Sequence, residues 1–452
     1  MKTLIKGGRL IDPANKTDAY LNLLLENGRV ALVTGGCPAA DETVDASGRI
    51  VCPGFIDIHM HEDPVGSDGK IRVKVFDCML KMGVTTAVGG NCGSAKYDPA
   101  AYLDIVERDG APVNVAMLAA HSYFRHRAGV KSRYDASTEE QRQRIEKLTA
   151  DALSRGCAGV SFGLRYVPGT DADEFNRVVR CVSGTGKIIT AHVRNDAAYV
   201  FESIKEAADA ALAAGVPLEV SHIGSMAGFG QMKDTLRLTD EYRMNGLDIT
   251  LDCYPYDAFS TSLGSATYDD GWLERYGCGY DVLEFCEGEF AGQRATEETF
   301  RKVRRELPSC VTVCHVMLEN EVELALMSPS VMIGSDATLN EQGGHPRASG
   351  TFPRVLRFAR EGKLSLYSAI EKMTSMPASR LGLSAKGRLN AGADADIVIF
   401  DPDTITDRAT FEEPFAAPEG IDRVIIGGQT AYKDGVTVCG RLGQAVRIFN
   451  KN

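Results

Sequence analysis

The chain has 452 residues, of which 44% are hydrophobic and 25% charged, so it is long and apolar enough to bury a large core and is not disordered in composition. Its formal net charge of −11 and isoelectric point near 5.4 argue against a surface that binds nucleic acid or anionic lipid, and favour small-molecule chemistry. We find no secretory signal and no run near the ~20 apolar residues of a membrane span, so we expect a cytoplasmic protein.

Both ends of the chain are predicted to be rich in β-strands. Residues 1–54 contain short strands with tight turns, and Glu-Asn-Gly-Arg within LNLLLENGRVALVTG is typical of a hairpin. Residues 386–452 continue in the same style with RLNAGADADIVIFDP and IDRVIIGGQTAYKDG. We therefore predict that strands of the two ends pair into one sheet, which brackets the middle of the chain.

Residues 55–385 alternate short apolar runs with amphipathic helical stretches. The runs are GVTTAVGGN, VNVAMLAAH, CAGVSFGLRY, KIITAHVR, PLEVSHIG, LDITLDCYPY, VTVCHVM and SVMIGSDA. Apolar strands that alternate with helices are typical of a parallel sheet covered on both faces, and about eight such units predict a closed (β/α)₈ barrel of the α/β class. Residues 257–310 interrupt the alternation, and we interpret them as an insertion and a candidate lid over the barrel mouth.

Two histidines lie two residues apart in the segment Phe55-Ile-Asp-Ile-His59-Met-His61. Residues two apart on a strand point to the same face, and catalytic groups of barrels collect at the carboxyl ends of the strands. Two neutral imidazoles that faced a core without partners would be energetically unfavourable. The spacing therefore favours a metal-binding pair over two incidental histidines.

Other residues with metal-binding or acid–base chemistry also follow apolar runs. His192 and His222 stand at such positions, as does Cys92, and imidazole with thiolate favours a borderline-soft ion such as zinc. Asp336 ends a late run, where a carboxylate could take a proton from an attacking water and return it to a departing nitrogen. If Asp336 stood alone, it would be better explained as a turn or helix-capping residue.

We favour structural roles for three other histidines, His121, His126 and His315. The other 11 of the 12 cysteines form no C-x-x-C pair, and we expect most of them to be reduced and buried.

These residues lie in motifs that resemble the N-acyl-D-amino-acid deacylases, or D-aminoacylases, of the amidohydrolase superfamily. The resemblance covers nearly the whole chain, in PGFIDIHMHED, GVTTAVGGNCG, GVSFGLRYVPG, AHVR, SHIG, DCYPYDAFST, SDA, HPRASGTFPRVL and KMTSMPASRLGLSAKGRLNAGADADIVIFDP. It implies a (β/α)₈ barrel with a small β-sandwich and zinc-dependent hydrolysis of a linear amide bond in a small N-acyl compound, above all an N-acyl-D-amino acid. The acyl group, the chirality and any assembly into homo-oligomers stay open.

The resemblance also implies roles for individual residues. A tight zinc site would be formed by Cys92, His192 and His222. A second, weaker metal position would use His59, His61 and Asp336, with Asp336 as general base and acid. The residues implied to line the substrate pocket are Tyr166, Tyr254, Ser260, His345 and Arg347.

The chain departs from the family's pattern at two positions. Gly224 stands where the family usually has a lysine that binds the substrate carboxylate, and Ala337 stands where it has a glycine after the catalytic aspartate. Loss of the lysine would remove a charge-assisted contact of about 1.5–3 kcal/mol unless Arg165, Arg194 or Arg347 replaces it.

Three alternatives remain at this point. Cyclic amide hydrolases such as hydantoinases and dihydroorotases share the barrel and the His-x-His motif, but many of them bridge two metals with a carbamylated lysine, and the fourth-strand segment CAGVSFGLRYV has no lysine. Deaminases of this superfamily usually lack a cysteine ligand. A non-catalytic scaffold would be expected to lose ligands, whereas every expected ligand is present.

Overall fold

The computed structural model describes residues 2–339 and 343–449. Residues 1, 340–342 and 450–452 belong to the predicted β domain and barrel segments but lie outside the described residues. Within the described part, no helix is both long and apolar enough to cross a membrane.

Eight parallel strands form the barrel, the third of them in two short pieces. They are Phe55–Asp57, Val84–Gly89, Asn114–Met117 with Ala119–Ala120, Gly159–Gly163, Ile188–His192, Leu218–Val220, Ile249–Cys253 and Val331–Ile333. Neighbouring strands pair in parallel, and a parallel bridge between Met60 and Ala337 joins the first strand to the last. The strands are apolar because both of their faces are covered. The predicted barrel is confirmed.

Helices that follow the barrel strands cover their outer face, whereas Trp272–Tyr276 and Glu297–Glu306 lie within the predicted insertion at residues 257–310. The α-helices are Lys74–Lys81, Pro99–Asp109, His121–Arg127, Glu139–Ser154, Ala172–Arg180, Val200–Ala214, Ile223–Ala227, Met232–Met244, Trp272–Tyr276, Glu297–Glu306, Glu319–Met327, Arg347–Arg360, Leu366–Met373 and Ser375–Arg380. Local sequence sets several of their ends. Thr138 and Gln141 form a capping box at the start of Glu139–Ser154, and Gly215, with φ 64°, ends Val200–Ala214.

One apolar run does not belong to the barrel, contrary to the prediction. Val311–Cys314, from the run VTVCHVM, pairs antiparallel with both Phe259–Ser262 and Leu283–Phe285 in a separate three-stranded sheet. Burial alone makes a short run apolar, so the pattern cannot distinguish a barrel strand from a strand of a small antiparallel sheet. Two of these strands come from the predicted insertion at residues 257–310, whose role as a lid stays a prediction.

The two ends of the chain contribute strands to two sheets that share a hydrophobic core. The four-stranded sheet has the order Arg29–Thr34, Asn22–Glu26, Lys2–Lys6, Glu42–Asp45. The seven-stranded sheet has the order Val436–Thr437, Gln429–Lys433, Ile421–Ile426, Ile397–Phe400, Ile50–Pro53, Arg9–Asp12, Thr17–Tyr20. Ile397–Phe400 pairs antiparallel with Ile50–Pro53, which joins the two chain ends as predicted. Leu23 and Ile397 belong to the same buried cluster between the sheets. The exact domain boundaries stay predictions.

A buried ion cluster links the helices that follow the third and fourth barrel strands. Glu174 accepts a hydrogen bond from His121 Nε2 at 2.7 Å, pairs with Arg125 at 2.5 Å and bonds to Ser137. Burial raises the pKa of Glu174, but the bonds and charges of His121, Ser137 and Arg125 outweigh it and lower the pKa to about 2. This cluster explains the structural role that was predicted for His121.

Replacement of Glu174 by glutamine should lower the free energy of unfolding by about 3–5 kcal/mol, because it leaves the Arg125 charge buried without its partner. The pKa of Glu174 is lower in the folded chain than its ordinary value of 4.5. The stabilisation is therefore present above pH ~4.5 and is lost as the pH falls towards ~2. Denaturant unfolding as a function of pH measures both effects. A variant as stable as the wild type at pH 7 would contradict this account.

Candidate metal centre

The candidate ligands meet at the carboxyl ends of the barrel strands. His59 lies two residues beyond the first strand, Cys92 lies three beyond the second, and His192 is the last residue of the fifth. His222 follows the sixth strand by two residues, and Asp336 follows the eighth by three. The barrel thus brings together residues as far apart in sequence as His59 and Asp336.

Four of these residues form a compact cluster. One ligand atom from each of His59, Cys92, His222 and Asp336 lies within 4.8 Å of all the others. Cys92 Sγ is 3.4 Å from His59 Nε2 and 3.3 Å from His222 Nε2. His61 lies next to this cluster, and its Nε2 is 3.0 Å from Asp336 Oδ1. Thiolate, imidazole and carboxylate at these separations are a donor set that suits zinc.

Like His61, the predicted ligand His192 lies outside this four-residue cluster but next to it. Its ring centroid is 4.5 Å from that of His222, and its ring is buried. Neither of its ring nitrogens has a hydrogen-bond partner of normal geometry among the described residues. A buried imidazole without partners is energetically unfavourable, so a metal ion beside His192 fits the residues present.

Hydrogen bonds behind the cluster aim the imidazoles at Cys92. Asp252 Oδ2 lies 3.0 Å from His59 Nδ1, and Asp252 Oδ1 accepts the backbone N–H of His222 at 2.9 Å. Ser225 Oγ lies 3.0 Å from His222 Nδ1. With the Nδ1 atoms engaged, each Nε2 is left to face the cluster, as is usual for metal-binding histidines.

Asp252 was missed by the sequence analysis, although a signal was present. It is a carboxylate near the end of the apolar strand Ile249–Cys253, which is the pattern that singled out Asp336. Ser225 had no such signal, because its position follows from a helix that begins only at Ile223.

Three candidate site residues adopt an unfavourable backbone conformation. Cys92 has φ 53°, His222 has φ 33° and Asp336 has φ 48°, and only four other non-glycine residues in the described part have positive φ. Such left-handed conformations are disfavoured for residues with a Cβ and concentrate at functional sites. Backbone strain thus coincides with the cluster.

The charges of the cluster favour an ionised thiolate and an ionised carboxylate. Burial raises the pKa of Cys92, but the neighbouring His222 and His59 outweigh it and hold the pKa well below its ordinary value. Burial also raises the pKa of Asp336, but Arg347 and the His61 hydrogen bond hold that pKa well below its ordinary value. These shifts favour the forms of the two groups that can bind a cation or accept a proton.

Arg347 connects the cluster to the predicted substrate residues. Its Nη2 lies 3.0 Å from Asp336 Oδ2, and its guanidinium lies 4.7 Å above the Tyr254 ring centroid. Its Nε and Nη1 are buried without a hydrogen-bond partner among the described residues. His345 lies behind it, accepting the Arg347 backbone N–H at Nδ1 and donating from Nε2 to the Ala258 carbonyl.

Two cavities open next to the cluster. The larger, of about 460 Å³, is lined by His61, Glu62, Cys92, Ser94, Ala95, Lys96, Ser122, Arg133, Tyr166, Val167, Ser260, Thr261, Ser262, Ser265, Val311, Asp336, Thr338 and Arg347. The smaller, of about 20 Å³, is lined by Tyr166, His192, Asp196, His222, Ser225, Met226, Phe259, Ser260, Thr261, Thr267, Tyr276 and Asp336. Of the predicted substrate residues, Tyr166, Ser260 and Arg347 therefore line a cavity, whereas Tyr254 and His345 support Arg347 from behind.

Gly224 does not face the cavities. A Cβ at this position would lie 3.0 Å from Cys253 Sγ and 3.2 Å from Met317 Cε, which are core atoms. The residues that this helix presents to the smaller cavity are Ser225 and Met226. In this chain, a side chain at position 224 would therefore point away from a substrate.

Three arginines were considered as replacements for the missing lysine, and they differ in whether they could contact a substrate. The Arg194 guanidinium is bound to the carboxylate of Glu206 at 2.7–3.2 Å. Arg165 bonds to a neighbouring side chain and a carbonyl and lines neither cavity. The cations that line the larger cavity are Lys96, Arg133 and Arg347.

Comparisons with known proteins agree with this geometry. The Amidohydrolase family matches residues 42–432. A D-aminoacylase from Alcaligenes xylosoxydans xylosoxydans is 33% identical over 95% of this chain and 94% of its own length. An N-acyl-D-glutamate deacylase from the same organism is 32% identical over 95% of this chain and 93% of its own length.

A solved structure extends the likeness to three dimensions. N-acyl-D-glutamate deacylase from Bordetella bronchiseptica, complexed with zinc and a phosphonate inhibitor that mimics the tetrahedral intermediate, has a TM-score of 0.89 at 31% identity, covering 98% of this chain and 99% of that one. The sequence match and the shared fold lead to one conclusion: the chain belongs to the amidohydrolase family, in the group of the N-acyl-D-amino-acid deacylases.

Proposed function

We propose that this amidohydrolase uses zinc to remove the acyl group from an N-acyl-D-amino acid. The observation that carries the proposal is the cluster of Cys92, His59, His222 and Asp336, with ligand atoms within 4.8 Å of one another beside a pocket of about 460 Å³. The net charge of −11 supports a small-molecule substrate over nucleic acid.

In this proposal the ligands divide into two sets. The tight zinc site consists of Cys92, His192 and His222, and a second, weaker position uses His59, His61 and Asp336. Zinc bound here would act as a Lewis acid on the scissile carbonyl and would make a water molecule acidic enough to attack near neutral pH.

The protein's own groups then handle the proton and the developing charge. Asp336, ionised beside Arg347, takes the proton of the attacking water and passes it to the leaving nitrogen. Burial and the charges of Cys92 and Asp336 raise the pKa of Tyr166 well above its ordinary value, so its phenol stays protonated. Tyr166 can therefore donate a hydrogen bond to the oxygen that gains negative charge.

The two cavities suggest how the substrate lies. The smaller one, of about 20 Å³, has room for about one small group, because a single water already needs about 10–15 Å³. We assign it to a short acyl group such as formyl or acetyl. We assign the larger cavity to the amino-acid part of the substrate. Its carboxylate would pair with the cations that line this cavity, Arg347, Lys96 and Arg133, rather than with a lysine at position 224.

Turnover of a matched substrate panel tests this function. With zinc-loaded protein, N-formyl- and N-acetyl-D-amino acids should be hydrolysed faster than their L forms, and faster than N-acyl compounds with long acyl chains. Carboxamide versions of the same D substrates should be poorer, because a charge-assisted contact of about 1.5–3 kcal/mol is lost, which is about 10- to 150-fold in kcat/KM. Release of the free amine measures each rate. Turnover of hydantoins or dihydropyrimidines alone would contradict the proposal.

Ring opening of cyclic amides, the main alternative, has little support at the site. Its usual bridging lysine would come from the end of the fourth strand, Gly159–Gly163. A Cβ at Gly163 would lie 2.0 Å from the Cys92 carbonyl oxygen, so no side chain fits there without movement of the backbone that carries Cys92.

A further inference from the structure

Glu62 is a buried carboxylate beside the four-residue cluster, and it takes no part in the proposed zinc binding or proton transfer. It follows His61 directly and is 1% exposed. Its Oε2 accepts the backbone N–H of Gly90 at 2.8 Å, and its Oε1 accepts the backbone N–H of Lys96 at 2.8 Å. One side chain therefore holds both ends of segment 90–96, which carries Cys92.

This segment has a conformation that needs to be held. Gly90 has φ 76°, Cys92 has φ 53° and Gly93 has φ 67°, so three residues out of four are left-handed. For Cys92, which has a Cβ, this conformation is energetically unfavourable and persists only where surrounding contacts enforce it. Hydrogen bonds to a charged carboxylate are among the stronger contacts that can do so.

We propose that Glu62 is a positioning residue, which fixes the backbone of segment 90–96 so that Cys92 Sγ points at His59 and His222. Without the two bonds, the segment relaxes towards a more favourable backbone conformation and the sulfur moves away from the Nε2 atoms. Glu62 acts through this backbone and holds no metal itself. The inference rests on the proposed metal site at Cys92.

The neighbouring Asp63 provides a matched control. It is 2% exposed and also accepts two backbone N–H groups, those of Val75 and Phe76, both at 3.0 Å. Those groups lie at the start of the helix Lys74–Lys81, which carries no candidate ligand. Asp63→Asn therefore perturbs the same kind of contact one residue away, but on a segment without a ligand.

The experiment compares Glu62→Gln, Glu62→Asp and Asp63→Asn with the wild type. Glu62→Gln should weaken zinc binding about 10- to 100-fold, the range seen when a partner that orients a ligand is lost. It should also reduce the thiolate-to-cobalt charge-transfer band of the Co²⁺-loaded protein. Glu62→Asp, which keeps both acceptors, should recover part of each loss. Asp63→Asn should lower the melting temperature but leave zinc affinity and the cobalt band unchanged.

A second readout needs no metal. In metal-free protein, alkylation of Cys92 by iodoacetamide, followed by peptide mapping, should be several-fold faster in Glu62→Gln and unchanged in Asp63→Asn. Equal alkylation rates in the wild type and Glu62→Gln would overturn the positioning role, even if zinc turnover stands. Absence of a cobalt–thiolate band in the wild type would instead refute the proposed metal site, and alkylation would still decide the role of Glu62.

Discussion

Replacement of Asp336 by asparagine should lower kcat for an N-acetyl-D-amino acid by about 10²- to 10⁴-fold. This is the range that a positioned general acid–base group contributes. Asparagine keeps the size of the side chain but cannot take a proton from water. Because a carboxylate oxygen of Asp336 also lies within the four-residue cluster, zinc content must be measured on the same samples as turnover.

The control for Asp336 is a buried carboxylate that pairs with a cation far from the site. Asp396 lies in the β domain, 2.6 Å from Lys386 Nζ. Asp396→Asn should lower the melting temperature and leave kcat unchanged. An Asp336→Asn variant with full zinc content and near-wild-type kcat would contradict the role of Asp336 as the proton carrier.

Replacement of Cys92 by alanine should weaken zinc binding by more than about 100-fold. Loss of a residue that only orients a ligand already weakens binding 10- to 100-fold, and Cys92 is the group that faces both His59 Nε2 and His222 Nε2. The lowered pKa of its thiol favours the thiolate, which is the form that binds a metal. Competition with a chelator measures the affinity.

Cys157→Ala is the matched control for this variant. Cys157 is fully buried, is not part of the cluster, and has a pKa that burial raises to about 12. Its removal should leave zinc affinity unchanged. A Cys92→Ala protein that keeps wild-type zinc affinity would show that the thiolate is not a ligand.

The sequence predicted the barrel well because the barrel depends on periodic burial. Strands such as Val84–Gly89 and Ile188–His192 are buried on both faces, which makes them apolar without interruption, and that pattern is visible without a structure. Val311–Cys314 shows the limit of the method. It is equally apolar but belongs to an antiparallel sheet, and its partners, not its composition, decide this. The family inferred from the motifs is confirmed by the comparisons.

The residue types of the candidate site could be predicted from the sequence, but the directions of their side chains and their hydrogen-bond partners could not. Ligand-type residues after apolar strands, such as Cys92 and Asp336, were visible in sequence because strand ends meet in a barrel. The direction of a side chain depends on local backbone, however. Gly224 was expected to mark a lost contact with the substrate, yet its Cβ direction leads into the core, because a helix begins at Ile223. Partners such as Asp252 depend on distances across the barrel, which no single sequence contains.

The most direct test of the central claim, a zinc centre that includes the Cys92 thiolate, is zinc X-ray absorption spectroscopy of the zinc-loaded protein. The account predicts one sulfur at about 2.3 Å together with nitrogen or oxygen ligands at about 2.0–2.1 Å. The sulfur contribution should disappear in Cys92→Ala and persist in Cys157→Ala. A first shell of nitrogen and oxygen alone in the wild-type protein would contradict it.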